Sequence, residues 1–324
     1  MGYTDNYKKI VNAYLKAESI VSKERLLEIH ELAHKMCHVS SRHHYIPQYF
    51  IKGFASADKQ LFVYDKVLDK IKRKKSGSKG LFYIESLNTI NFDESFQASF
   101  IEDDYFKMVD DSLCKTMSIL KHTSITEKFL TPELHAQVSI FIADLFWRNP
   151  ISDSTFESVF RDNHMYSKIK NRILPDSNLD TSNPVNTASF KKLFRSSMGL
   201  HTIKSILEER KEDNWQAELL HFDEEIFVIG DYPFLLMKQP ENLSGLFNVP
   251  SYLPISSHRV YRSNVNRSKN IDKVEAYWIN ALIINQSQFL VGSANMEVLE
   301  KSILIYKRLK EYGHFSYLLE SLFN

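Results

Sequence analysis

The stretch Arg42-His43-His44-Tyr45-Ile46-Pro47-Gln48-Tyr49-Phe50 gathers two imidazoles, an amide and two phenols around one proline. A connecting loop would be rich in Gly, Asn, Asp and Ser instead. Proline fixes its own φ and drives Ile46 towards extended geometry, so the flanking polar groups are held in place. An unperturbed imidazole titrates near pH 6.5, which suits proton transfer at neutral pH. His44 is therefore a candidate general base or metal ligand, and His43, Tyr45 and Gln48 are candidates for contacting a polar substrate. The plainer reading has His44 and Gln48 satisfying buried backbone groups while Tyr45 and Phe50 pack.

Other residues could join such a site. Asp231 closes the apolar run Phe227-Val228-Ile229-Gly230, and strand ends commonly display catalytic carboxylates. It could orient His44 or bind a divalent ion; an Asp before x-Pro also caps turns. Arg148 could clamp a phosphate or carboxylate, against an ion pair with Asp144 four residues earlier. Ser256 and Ser257 could add hydroxyls, and His258 reads as a surface residue. Lys72, Arg73, Lys74 and Lys75 end a run with five cations in six positions between the aromatic segments 61–64 and 81–84. A basic hairpin beside aromatics can contact phosphates and stack on bases, although such runs are commonly just solvated.

Weaker patterns are His30, His34 and His38 on one helical face, and the acidic group Glu102, Asp103, Asp104, Asp110 and Asp111. His-His with a proline three residues later is similar to the first strand of His-Asn-His endonucleases. That motif needs a second histidine nearby, and here the next one is His122. There is no glycine-rich phosphate loop, Gly-x-Ser-x-Gly elbow or Cys-x-x-Cys pair, which removes kinase, P-loop NTPase and dinucleotide oxidoreductase readings.

The elements that must position these groups follow from periodicity. Residues 6–38 read as helical, with Ile10, Tyr14, Leu26, Leu27 and Leu32 at helical spacing. Leu61-Phe62-Val63-Tyr64-Asp65 and Leu81-Phe82-Tyr83-Ile84 read as strands about a turn at Ser76–Gly80. Residues 93–210 read as mainly helical. Their clearest start is Thr131-Pro132-Glu133: an N-cap hydroxyl, a proline at the first helical position and a carboxylate against the dipole. Asn149-Pro150 ends that helix, 174–186 reads as an exposed loop, and a helix runs through Phe190 to Leu207. Strands are expected at 227–233, 252–256 and 258–261, and helices near 274–284 and 295–322. The layout is α+β, a mainly helical central block with short β segments on either side. Residues 1–40 form an added helical arm, and 41–324 a single domain.

The chain of 324 residues carries 41 basic and 40 acidic residues, so any pull on nucleic acid must be local. Its hydrophobic content of 43% is ample for a core. Cys37 and Cys114 form neither a disulfide framework nor a metal spacing, which fits a reducing, cytoplasmic setting. No signal-peptide-like stretch or membrane span is expected.

Residues 42–55, followed by Leu61-Phe62-Val63-Tyr64-Asp65-Lys66, resemble the opening of the bacterial DUF4238 family, a domain of unknown function. Ile101-Glu102, Phe146-Trp147-Arg148-Asn149-Pro150, Ile229-Gly230-Asp231-Tyr232-Pro233 and Leu253-Pro254-Ile255-Ser256 resemble later segments in the same order. The resemblance implies a map of the site and no reaction. The combined expectation is a hydrolase, a nuclease-like phosphodiesterase acting on nucleic acid or nucleotide, with a divalent metal as candidate cofactor. By analogy with similar bacterial families it would serve as a toxin or antiphage effector. The alternative is a non-catalytic module that binds nucleic acid through the basic run, or a protein through the helical arm.

Overall fold

The computed structural model describes residues 42–93, 96–98, 101–122, 130–161, 166–167, 184–209, 215–237, 245–265 and 271–323. The helical arm with His30, His34, His38 and Cys37 lies outside them, as does most of the expected loop at 174–186. Pro184 opens a helix instead.

Leu61, Val63 and Tyr64 are buried in strand β2 (Gln60–Asp65), which pairs antiparallel with β13 (Leu290–Ser293) and β3 (Lys70–Ile71). β9 (Ile229–Gly230) lies on the far side of β13, with Val291 opposite Gly230. A second antiparallel sheet has the order β10 (Leu235–Leu236), β11 (Ser251–Ser256), β12 (Arg259–Ser263), β8 (Ala217–His221). The expected strand at 81–84 starts later, as β5 (Tyr83–Glu85), and pairs with β1 (Arg42–His44). Leu81 and Phe82 turn inward first, with Phe82 at φ 54°. The basic run therefore does not join two paired aromatic strands; β4 (Ser76–Gly77) folds it back on β2. β6 (Ile90–Asp93) and β7 (Phe96–Ala98) pair antiparallel as a ribbon, and β7 falls where the sequence had suggested helix.

The helical block follows: a π-turn at Ile101–Phe106, then α2 (Lys107–His122), α3 (Pro132–Arg148), α4 (Asp153–Arg161) and α5 (Pro184–Glu209). A four-residue helix, α1 (Gln48–Ile51), precedes them. Thr131 caps α3 by accepting from the Leu134 amide at 3.4 Å, and Asn149 ends it. α3 is buried on every side, from Leu134 to Arg148. Its polar residues therefore need internal partners. His135 stacks on Trp215 and bridges the Tyr261 hydroxyl at 2.6 Å and the Phe247 carbonyl at 2.9 Å. Burial pulls this imidazole down to about 4, so it is a neutral core pin.

The chain closes with α6 (Lys273–Gln286), α7 (Met296–Tyr312) and α8 (Phe315–Phe323). Gly313, at φ 70°, breaks the single helix expected over 295–322. Gly230 is where β9 lies against α6: a Cβ there would sit 2.1 Å from Ser287 Oγ and 2.9 Å from Ile283 Cγ2.

Candidate functional site

Pro47 caps α1 with φ −58° and ψ 135°, so the chain changes from extended to helical between His44 and Gln48. The carbonyls of Tyr49 and Phe50 accept from Lys121 Nζ of α2, at 2.5 and 3.3 Å. The Phe50 ring packs edge-on against Phe54 and Phe141. Polar block and helical core are thus locked together.

Strand alternation then separates the two histidines. His43 is fully buried, and its Nδ1 accepts the Asn88 amide at 2.8 Å. His43 is an internal acceptor, so the substrate-contacting role expected for it is withdrawn. Tyr45 is withdrawn for a similar reason: it is 4% exposed and packs edge-on against Phe82. His44 is half-buried, and its Nε2 makes no hydrogen bond. Burial lowers its pKa, while the backbone of Ser78 and the charge of Glu102 pull the other way. Its imidazole is neutral at pH 7. Gln48 is also half-buried, at the start of α1.

α2, α3 and the π-turn contribute a largely buried ionic cluster. Arg148 is 1% exposed, its Nη1 is 3.0 Å from Asp110 Oδ1, and its Nη2 donates to the Phe106 carbonyl at 3.3 Å. The guanidinium lies over the Phe106 ring, 4.2 Å from its centroid. Its Nε is 3.6 Å from Asp144 Oδ2, the intrahelical pair weighed from the sequence. Burial opposes the charge on Arg148, but Asp110, Asp144 and Glu102 outweigh it and hold the group protonated. Burial pushes Asp144 up to about 7, against the pull of Arg148, and raises Asp110 too. Burial also raises the Tyr49 phenol, with Asp110 and Asp144 adding to the effect.

His44 Nε2, Tyr49 Oη, both Asp144 oxygens and Arg148 Nε are buried and make no hydrogen bond. Buried polar atoms in folded proteins almost always have a partner. These atoms share one electrostatic neighbourhood: Arg148 acts on both His44 and Tyr49, and Glu102 on both His44 and Asp144. The sequence had pointed to His44 and Arg148. It had treated Asp144 only as a salt-bridge partner, and Glu102 and Asp110 only as members of a weak acidic pattern. The usable signal was a charged pair inside the otherwise apolar end of a helix.

Asp231 is oriented elsewhere. Its carboxylate accepts the Gln288 amide at 2.9 Å and the Phe289 amide at 2.7 Å, capping the turn before β13. Only its carbonyl reaches the α3 end, accepting from the Asn149 side chain. Ser256 accepts the His258 amide at 3.3 Å in the β11–β12 turn. In the basic run, Lys75 pairs with Asp58 at 2.9 Å and covers Phe62, and Lys72 lies 3.8 Å from Asp65. Arg73 and Lys74 remain exposed.

Among the described residues no group of three or more His, Cys, Asp or Glu side chains is placed to hold a metal ion. A surface groove of about 550 Å³ is lined by Tyr64, Lys66, Asp69, Tyr306 and Lys307, none of them from the ionic cluster. Its polar groups answer one another: the Tyr64 hydroxyl and Lys307 both bind Asp69, and Lys66 donates to the Asn285 and Ser287 carbonyls. No helix among the described residues is long and apolar enough to cross a membrane.

A family model described as "Protein of unknown function (DUF4238)" matches residues 42–295. No curated protein and no solved structure matches the chain.

Proposed function

Because this chain belongs to the DUF4238 family, whose description assigns no reaction, we propose from site chemistry that it is a hydrolase centred on His44, Asp144 and Arg148. The observation that carries this reading is a set of buried polar atoms that make no hydrogen bond: His44 Nε2, Tyr49 Oη, and the Asp144 carboxyl and Arg148 Nε, which face each other as an ion pair at 3.6 Å. Acid–base sites are recognised by titratable pairs whose environments push their pKa values apart. Here burial lowers His44 and raises Asp144 to about 7, so one is ready to accept a proton while the other still holds one.

The substrate class we assign is a phosphodiester of nucleic acid or nucleotide. Arg148 is a permanent cation of planar, two-pronged geometry that suits phosphoryl oxygens. Binding would draw it partly away from Asp110, whose raised pKa eases proton uptake as the ion pair loosens. His44 Nε2 would take a proton from water as its oxygen attacks phosphorus. The Asp144 carboxyl would protonate the leaving oxygen as the P–O bond breaks, and the Tyr49 hydroxyl would donate to a non-bridging oxygen. Glu102 would steady the imidazolium that forms.

The test is cleavage of an RNA, DNA and nucleotide panel with Mg²⁺, Mn²⁺ or EDTA, using wild type, His44→Ala and Asp144→Asn. The reading expects cleavage by wild type alone, with the melting temperature of His44→Ala unchanged. A fully active His44→Ala protein would overturn it. Toxicity on expression in bacteria, lost in the same variants, is the expected sign of a defence or toxin role.

A further inference from the structure

Asn88 lies in the turn after β5 and is 2% exposed. Each of its polar groups has a different partner. Its backbone amide donates to His43 Nδ1 at 2.8 Å. Its Nδ2 donates to Glu102 Oε2 at 3.0 Å. Its Oδ1 accepts from Arg195 Nη2 of α5 at 3.3 Å. The amide orientation is fixed by these partners: flipped, it would set two donors against the guanidinium and an oxygen against the carboxylate. Arg195 is itself held by the Leu87 carbonyl at 3.2 Å and by Asp153 at 3.5 Å.

We propose that Asn88 is a positioning residue that holds Glu102 in place while tying the histidine strand to α5. The inference deepens the hydrolase reading and rests on it for its catalytic consequence. Asn88 touches no reacting group. It acts through Glu102, whose charge supports the protonated form of His44, and through His43, the strand neighbour of His44. A short amide serves here because it can give a hydrogen to a carboxylate and take one from a guanidinium at once. Arg195, bound on its other side, keeps that amide from rotating.

The test is an NMR titration of His44, which needs no substrate. Asn88→Leu keeps the branching at Cγ, though it is larger, and keeps the backbone donor to His43, but releases Glu102. It should move the His44 midpoint downward, in the direction that Glu102→Gln moves it. Asn88→Ser, too short to reach Glu102, should do the same and covers the case in which Asn88→Leu does not fold. On a cleaved substrate either variant should lose about tenfold in kcat/KM, the scale of lost outer-shell support. A wild-type His44 midpoint in a folded variant would overturn the inference, whatever happens to the melting temperature. A shifted midpoint without hydrolysis by any protein would sustain the Asn88 role and remove the hydrolase reading.

Discussion

His43 and His44 are neighbours with opposite fates, because a β-strand sends successive side chains to opposite faces. One is an internal acceptor for Asn88; the other has a ring nitrogen that makes no hydrogen bond. If His44 is the base and Asp144 the acid, the rate should follow a bell in pH. It should rise as His44 loses its proton below the ordinary 6.5 and fall as Asp144 loses its own near 7. Stability has a separate signature. Folded Asp144 keeps its proton up to about 7, whereas in the unfolded chain it loses it near the ordinary 3.8. Between those values the folded state binds more protons, so this group's contribution to stability falls as pH rises. Asp144→Asn should remove that slope in urea denaturation measured from pH 4 to 7.5. Arg148→Met should be more damaging, costing about 3–5 kcal/mol, because it strands two buried carboxyls without their cation.

At the scale of elements, Lys121 holds α1 by its last carbonyls, and burial pulls its amine down to about 7 from 10.5. In that range the unfolded chain binds the extra proton, so stability should rise with pH, and Lys121→Met should flatten the rise. Gly230→Ala should destabilise by about 1–3 kcal/mol through overpacking against Ser287, read as a lower melting temperature. These contacts mark where the sequence was legible. Thr131-Pro132-Glu133 and Asn149-Pro150 announced both ends of α3 through local capping chemistry, and β2 showed as a short apolar run rich in β formers. The partner of β5 was not legible. Pairing with β1 depends on the buried turn at Phe82, and nothing in the local pattern distinguishes β1 from β2 as its neighbour. For the site, His44 and Arg148 could be named from residue type. Asp144 and Asn88 could not, because their roles exist only once α3 is buried on every side and the β5 turn meets the π-turn.

Taken whole, the molecule carries 41 cations against 40 anions and offers no broad field for an anionic polymer. A nucleic-acid track must be local, and Arg73 and Lys74 are the exposed pair in the basic run. Reversing both should leave the melting temperature unchanged while weakening nucleic-acid binding and flattening its salt dependence. Unchanged binding would place the track elsewhere; lost binding with cleavage never seen in wild type would favour a non-catalytic binding module. The central claim is that His44, Asp144 and Arg148 perform acid–base hydrolysis, and the pH–rate profile of wild type beside His44→Ala tests it most directly, with both melting curves measured in parallel. A bell in wild type, abolished in a variant that melts at the same temperature, is the expected result. Cleavage by His44→Ala with an unchanged profile would contradict it.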